Sequence, residues 1–202
     1  MSRIFRLDDE EKEKNPNDMR NAPDVVEKAL FDARVVMLTG EVNDGVARRV
    51  TERLFALSAQ SANPITFVIS SPGGHVESGD MIHDVIQFIN APVRMLGTGW
   101  VASAGALIYC AAQRENRYCL PNTRFLLHEP RGGIGGMASD VEIQAREVLR
   151  MRERLNRIFA DATGQPLDKI KRDTDRDYWM LAEEAKAYGL VGKIVKSANE
   201  VR

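Results

Sequence analysis

The 202-residue sequence predicts an α/β fold in which helices cover a mainly parallel sheet. Apolar runs of strand length alternate with segments whose apolar residues recur at the helical period, and this order favours parallel strands joined by helical crossovers. Hydrophobic residues make up 44% of the chain and charged residues 28%, which is typical of a folded domain. The length is enough to bury one core, and no linker or internal repeat divides it.

The elements of the first half follow one another closely. Residues 1–23 are highly charged and predict a mobile N-terminal tail, which leaves 24–202 as the folded domain. Strands are predicted where apolar and β-branched residues run together, and helices where apolar residues are three or four positions apart. The predicted strands are 34–39, 65–70 and 93–97, and the predicted helices are 23–31, 44–62, 76–89 and 102–113.

The second half is arranged around one long helix. Short strands at 117–120 and 124–128 lead to a glycine-rich stretch at 131–137, and a helix is predicted over 138–163. At 1.5 Å per residue this helix would be about 39 Å long, more than a small domain needs, so we expect its apolar stripe to meet another copy of the chain. The stripe consists of Val141, Val148, Met151, Leu155, Ile158 and Phe159. Helices at 166–173 and 182–188 and a strand at 190–195 complete the prediction.

Charge and cysteine content argue against several classes of protein. Lys and Arg number 28 and Asp and Glu 29, so the net charge of −1 does not suit a nucleic-acid binder or a polybasic membrane binder. No apolar run reaches the roughly 18 residues of a membrane helix, and the N-terminus turns acidic where a signal peptide would be apolar. Cys110 and Cys119 are too few for a disulfide framework and lack zinc-ligand spacing. We therefore expect a cytoplasmic protein without a metal site.

Ser103 and His128 are candidates for catalytic side chains. Ser103 stands between a predicted strand and a helix of small residues, where free backbone N–H groups are available, although a plain helix-capping serine has the same signature. If a histidine activates it, the choice is among His75, His83 and His128. His128 ends a buried strand at a sheet edge, although a lone histidine there is more often a core or capping residue. His83 is predicted at the surface or at the boundary of the core, and His75 in a turn.

Two further segments could complete such a site. Ser71-Pro-Gly-Gly74 forms a strand-to-helix turn whose backbone N–H groups could stabilise an oxyanion. A phosphate cradle is the rival interpretation, but no Lys-Ser/Thr pair follows the glycines. Asp173, Asp175 and Asp177 each offer a carboxylate to orient an imidazole, although an acidic run of this kind is typical of a solvated surface.

Four motifs stand in a specific order along the chain. They are Ser71-Pro-Gly-Gly74, Ala102-Ser-Ala-Gly105, Leu126-Leu-His-Glu-Pro130 and Arg172-Asp-Thr-Asp-Arg-Asp177. In this order and spacing they resemble ClpP, the proteolytic subunit family of the ATP-dependent Clp protease, over about residues 25–195. The resemblance implies a triad of Ser103 as nucleophile, His128 as base and Asp177 as the carboxylate that orients the imidazole. It also implies an oxyanion hole formed by the backbone N–H groups of Gly74 and Ala104.

The same resemblance implies the fold and the assembly in more detail. The fold would be a crotonase-like ββα spiral with a protruding handle over about 131–163, whose glycine-rich strand lines a substrate groove. The groove residues would be Gly132, Gly133, Ile134 and Gly135. Members of the family stack as two seven-membered rings and cleave unfolded polypeptides in the enclosed chamber. An AAA+ unfoldase of the Clp type delivers these polypeptides and uses the ATP, so no cofactor is implied for this chain.

Several positions depart from the family pattern. The charged N-terminal tail does not resemble the family's leader and gating loop. The predicted strand 65–70 carries Thr and Val where aromatic residues often line the pocket for an ATPase loop, which leaves Phe88 and Tyr118 as apolar candidates. Glu129 follows the histidine where Gln is common, and we expect it to act on the imidazole or to pair with an arginine such as Arg176 of another subunit.

Two alternatives to an active serine peptidase stay open at this point. The chain could be a paralogue that is weak alone and co-assembles with a second ClpP-type subunit. An enzyme of acyl-CoA chemistry would share the crotonase-like fold and the oxyanion turns, but it would carry catalytic carboxylates in place of a Ser–His–Asp set.

Overall fold

Strands and helices alternate along the chain in the order expected of an α/β protein. The structure, a computed structural model, describes residues 23–131 and 135–201. The helices are α1 (Pro23–Asp32), α2 (Asp44–Gln60), α3 (Val76–Phe88), α4 (Ala104–Tyr109), α5 (Ala138–Thr163), α6 (Leu167–Thr174) and α7 (Ala182–Tyr188). The strands are β1 (Val35–Thr39), β2 (Ile65–Ser71), β3 (Val93–Ala102), β4 (Arg117–Cys119), β5 (Arg124–Leu127), β6 (Tyr178–Leu181) and β7 (Lys193–Ile194).

The described strands form one sheet whose main path is parallel. Its order is β1-β2-β3-β4-β7, with every neighbouring pair parallel. β3 is long enough to pair with β4 along one part and, further on, with β5. β6 pairs with β5 and runs antiparallel to it. This topology confirms the predicted α/β fold with a mainly parallel sheet.

Alternating burial explains why the central strands pair where they do. The side chains of β2 are buried at every second position and partly buried between them, as the two-residue period of a strand requires. Asn43 caps the N-terminus of α2. Its side chain accepts a hydrogen bond from the Val46 N–H, which would otherwise lack a partner in the first turn of the helix. The largest fully buried apolar side chains include Leu38, Leu54, Phe67, Ile82, Met95, Tyr109 and Phe125.

The end of β3 differs most from the prediction. The strand is predicted to stop at residue 97 but continues to Ala102, and the helix predicted over 102–113 spans only Ala104–Tyr109. Small and apolar residues fill this stretch without polar alternation, so the pattern does not distinguish a buried strand from a buried helix. β6 is absent from the prediction, and the strand predicted over 190–195 is reduced to Lys193–Ile194.

The long helix predicted over 138–163 is confirmed as α5, and its burial is confined to the C-terminal part. The buried residues of α5 are Leu155, Asn156, Phe159 and Thr163, whereas Val141, Ile143 and Leu149 are exposed. The guanidinium of Arg154 fixes this part to α3 through two contacts of 2.6 Å with the Asp80 carboxylate. The N-terminal half of α5 therefore presents apolar side chains that the described part of the chain leaves exposed.

The predicted N-terminal tail lies almost entirely outside the described residues, since residues 1–22 are not among them. The division of the chain near residue 23 therefore stays a prediction. Within the described ranges, no helix is both long and apolar enough to cross a bilayer.

Cys110 and Cys119 are buried free thiols. Burial raises the pKa of Cys110 to about 11 and that of Cys119 to about 12, so both are protonated at neutral pH.

Candidate active site

The register of the sheet brings Ser103, His128 and Asp177 together. Ser103 directly follows β3, and its N–H donates to the Leu126 carbonyl of β5 at 3.0 Å. His128 directly follows β5, and Asp177 directly precedes β6, one step beyond the last cross-strand pair of these two strands. The parallel strands β3 and β5 end at one edge of the sheet, and the antiparallel β6 begins there. Residues far apart in sequence therefore meet at this edge.

The three side chains form a continuous hydrogen-bonded chain. Ser103 Oγ lies 2.8 Å from His128 Nε2, and His128 Nδ1 lies 2.9 Å from Asp177 Oδ1. An ionised carboxylate only accepts hydrogen bonds, so Nδ1 carries the proton and Nε2 is left to accept the proton of the Ser103 hydroxyl. His128 is 12% exposed and Asp177 is 42% exposed. Hydrogen bonds from His128 and then from Arg131 hold the pKa of the Asp177 carboxyl below its ordinary value.

The backbone of Ser103 is strained. Its φ of 55° and ψ of −123° lie where L residues rarely occur, and its side chain makes no capping hydrogen bond to α4. The helix-capping alternative therefore does not describe this serine, whose hydroxyl is directed to His128. Gly73, with φ of +96°, lies against it: a Cβ added to Gly73 would stand 2.5 Å from the Cβ of Ser103. A glycine is required there so that the two turns can approach.

The predicted oxyanion donors lie in these two turns. Val42 forms a parallel bridge with Gly74. The Val42 N–H donates to the Gly73 carbonyl at 2.8 Å, and the Val42 carbonyl accepts from the His75 N–H at 2.9 Å. Neither bond uses the Gly74 N–H. The Gly73 N–H donates to Ser71 Oγ. Ala104 is the first residue of α4, where a backbone N–H has no partner within the helix. Their role as oxyanion donors stays a prediction.

The remaining histidines and carboxylates are occupied elsewhere. His83 is 5% exposed and hydrogen-bonded to the Asp84 carboxylate, so its predicted surface or boundary position was wrong: α3 turns this side of the helix inward. His75 lies between carboxylates of Asp44 and Glu77. The other acidic candidates have partners too, since Asp173 accepts from Tyr188 and Asp175 pairs with Arg152. Of the three candidate carboxylates, Asp177 is the one that His128 contacts.

The predicted substrate groove is only partly described. Gly132, Gly133 and Ile134 lie outside the described residues, and Gly135, at the beginning of the next described segment, is exposed. Next to Ser103 there is a small apolar depression. Its lining side chains are Val76, Leu107, Pro130, Leu155 and Phe159.

Two of the departures from the family pattern have structural outcomes. Glu129 forms an ion pair with Arg152 Nε of the same chain at 3.0 Å, and its pairing with an arginine such as Arg176 of another subunit stays a prediction. Phe88 is exposed and stacks edge-on with Phe55, whereas Tyr118 is 4% exposed and so does not offer an apolar surface. The fold buries Tyr118 because both faces of β4 are covered, so that all three of its residues are buried.

A second cavity lies away from the triad, and none of Ser103, His128 and Asp177 lines it. It has a volume of about 550 Å³ and lies among the C-terminal ends of α3, α4 and α5, beside the buried guanidinium of Arg117. Among the described residues, no group of three or more His, Cys, Asp or Glu side chains could hold a metal ion. The expectation that the chain uses no metal stays a prediction.

Comparison with known proteins agrees with this geometry. The family model described as Clp protease matches residues 18–198. The chain belongs to the Clp protease family. It is 56% identical to ATP-dependent Clp protease proteolytic subunit 2 of Gluconobacter oxydans, over 98% of this chain and 92% of that protein. It is 54% identical to the protein of the same name from Pseudomonas aeruginosa, with 98% of each covered.

A solved structure supports the fold assignment. The structure of ClpP1 from Listeria monocytogenes is 47% identical in sequence and superposes with a TM-score of 0.80, over 88% of this chain and 99% of that one. The predicted ClpP fold is thereby confirmed, and membership of the family makes this chain a peptidase subunit of the Clp type. ClpP proteins form oligomeric rings and work with Clp ATPases. The acyl-CoA alternative is not supported.

The contact between Gly73 and Ser103 leads to a prediction about catalysis. We expect Gly73→Ala to lower the kcat of peptide cleavage by about 100-fold, because the new methyl group displaces Ser103 from His128. Gly164→Ala is the matched control, since Gly164 also has a positive φ (+73°) but no atom within 4 Å of its added Cβ. Peptide-cleavage kinetics and urea unfolding of both variants separate the clash from backbone strain. A Gly73→Ala protein with wild-type kcat would contradict this account.

Proposed function

We propose that this chain is a serine endopeptidase subunit that cleaves unfolded polypeptides through Ser103, His128 and Asp177. The main observation that supports this proposal is the unbroken chain of hydrogen bonds from the Ser103 hydroxyl through His128 to Asp177. It supports nucleophilic catalysis because the hydroxyl, the base and the orienting carboxylate are each within 2.9 Å of the next.

The chemistry proceeds in two stages. Ser103 Oγ attacks the scissile carbonyl while His128 Nε2 takes the hydroxyl proton, and the carbonyl oxygen becomes an oxyanion that the Gly74 and Ala104 N–H groups stabilise. The C–N bond then breaks, and His128 gives its proton to the leaving amine. A water molecule next attacks the acyl-Ser103 ester while His128 takes a proton from it. The ester C–O bond then breaks, His128 returns the proton to Ser103 Oγ, and the new carboxyl end of the peptide leaves. Asp177 holds the imidazole in one tautomer and stabilises its charged form.

The proposed assembly is two stacked seven-membered rings that enclose the active sites. The exposed apolar residues of α5 support contact between copies, because isolated chains rarely leave such a helix face uncovered. Polypeptide substrates would arrive from an AAA+ unfoldase of the Clp type, which uses the ATP, so the subunit itself needs no cofactor. Nucleic acid and membranes are not among the proposed partners. We propose a cytoplasmic location because both cysteines are free thiols.

A second candidate function is that of a subunit with weak activity alone. The numbered names of the relatives, such as proteolytic subunit 2, favour it, since they indicate several paralogues in one organism. Mass measurement of the purified chain distinguishes the two. A stable assembly of fourteen 22.6-kDa chains that cleaves peptides without another subunit would contradict the second candidate.

Fluorophosphonate labelling tests the proposed nucleophile directly. The reagent forms a covalent bond with an activated serine and releases fluoride, and digestion followed by mass mapping locates it. We expect one labelled residue, Ser103, with labelling slowed at acidic pH because protonated His128 cannot accept the hydroxyl proton. Labelling of the native assembly at another residue would overturn the site assignment.

A further inference from the structure

Arg131 makes a contact that the triad chemistry does not use. Its guanidinium Nη2 bonds to Asp177 Oδ1, which is the same oxygen that accepts the hydrogen bond from His128 Nδ1. Asp177 is thus held between two donors, one in the triad and one at the start of the glycine-rich stretch. Arg131 itself is 68% exposed and could adopt many other positions.

The surrounding chain keeps Arg131 next to Asp177. The N–H of Glu129 donates to the Thr174 carbonyl at 2.8 Å, which fastens the segment after β5 to the segment before β6. This bond lies beyond the last cross-strand pair of the two strands, and it joins the chain after β5 to the end of α6. Arg131 is therefore placed by the backbone, two residues further along, beside the carboxylate that it contacts.

We propose that Arg131 is a positioning residue of the triad, which holds the Asp177 carboxylate towards His128 and offsets part of the negative charge that it presents to the imidazole. This inference rests on the proposed function. Packing restrains an aspartate that is 42% exposed only in part, so a second donor on the same oxygen limits its freedom further. The low pKa of the Asp177 carboxyl agrees with this double contact, His128 being the larger cause and Arg131 the second.

Among the described residues, the other charged side chains near the triad pair elsewhere or are exposed. From the segment after β5, Glu129 faces Arg152 of α5, and Arg152 also pairs with Asp175 from the segment before β6. Arg176 is exposed next to Asp177. In the described part of the chain, the ion pairs of Asp177 are with His128 and Arg131. Removal of Arg131 therefore leaves an excess negative charge at the carboxylate that His128 touches.

The first test is a pH profile of Arg131→Met. We expect kcat for a short neutral peptide to fall about fivefold while KM changes less than twofold, because the residue acts through Asp177 and not on the substrate. We expect the acid limb of kcat/KM to move about half a pH unit towards higher pH, since an imidazolium gains stability when the neighbouring cation is removed. Arg131→Lys keeps the charge, so its acid limb should remain at the wild-type position.

Arg48→Met is the matched control. Arg48 is an exposed arginine on α2, and its removal should change neither kcat nor the pH profile. The assembled mass of every variant is measured, so that loss of assembly is recognised. An acid limb that stays in place in Arg131→Met, or a change confined to KM, would overturn the proposal.

The second test combines Arg131→Met with Asp177→Asn. If Arg131 acts through the carboxylate, adding Arg131→Met to Asp177→Asn should change the rate of fluorophosphonate labelling less than twofold. An equal slowing in both backgrounds would show that Arg131 acts on something else and would reject the positioning role. Failure of the proposed function is a different result, because it would appear as labelling away from Ser103 in the wild-type protein.

Discussion

Ser103→Ala should lower the kcat of peptide cleavage by about a millionfold, as loss of the nucleophile does in serine peptidases. The Ser103 hydroxyl lies 2.8 Å from His128 Nε2. The nearest serine in the opposing turn cannot substitute, since the Ser71 hydroxyl donates to the Gly40 carbonyl and accepts from the Gly73 N–H. Initial rates with a fluorogenic peptide measure the loss, and fluorophosphonate labelling should disappear with it.

Assembly and folding should be unaffected in this variant. The Ser103 side chain makes no helix cap, so its removal costs no structural hydrogen bond of α4. Ser58→Ala, a change on α2 far from the triad in the fold, serves as the control and should retain full activity. If Ser103→Ala of unchanged mass still cleaves peptides at the wild-type rate, the nucleophile is misassigned.

Asp177→Asn should lower kcat by about 10,000-fold, the size of effect that the equivalent change has in serine peptidases with this triad. The amide is neutral and can turn an N–H towards His128 Nδ1. It then favours the wrong tautomer, in which Nε2 carries a proton and cannot accept one from Ser103. Steady-state kinetics with the peptide used for Ser103→Ala measure the effect.

The pH dependence of this defect has a defined sign. The pKa of Asp177 is lowered by its bonds from His128 and Arg131, so the wild-type carboxylate remains ionised well into acidic solution. The rate ratio between wild type and Asp177→Asn should therefore stay large from neutral pH into the mildly acidic range. Asp168→Asn, in the first turn of α6, is the control. A wild-type to Asp177→Asn rate ratio near one at neutral pH would show that Asp177 takes no part in the mechanism.

Local patterns in the sequence were sufficient to predict much of the fold. Segments with a clear period, such as α2 and the long α5, lie within two residues of their predicted bounds. The secondary structure predicted around Ser103 was wrong because small apolar residues suit a buried strand and a buried helix equally. β6 was missed for a related reason: four residues are too few to establish a period, although Tyr178 and Trp179 are typical strand formers.

The candidate site shows the same division. The choice of Asp177 among the three carboxylates came from the family resemblance, because an acidic run has no local feature that marks one member. The structure gives the physical reason, since Asp177 precedes β6 at the position opposite His128. The contact of Arg131 with Asp177 had no signal in the sequence, because their pairing depends on how two segments 46 positions apart are aligned.

The sequence by itself determined the α/β class, the glycines of the turn before α3, and a helix too long for one small domain. These properties depend on local composition and period, which each segment carries on its own. The tertiary structure alone decided that β3 continues to Ala102, that β6 pairs with β5, and that Ser103, His128 and Asp177 meet at one sheet edge. Strand register is set by pairing between distant segments, so no single segment contains it.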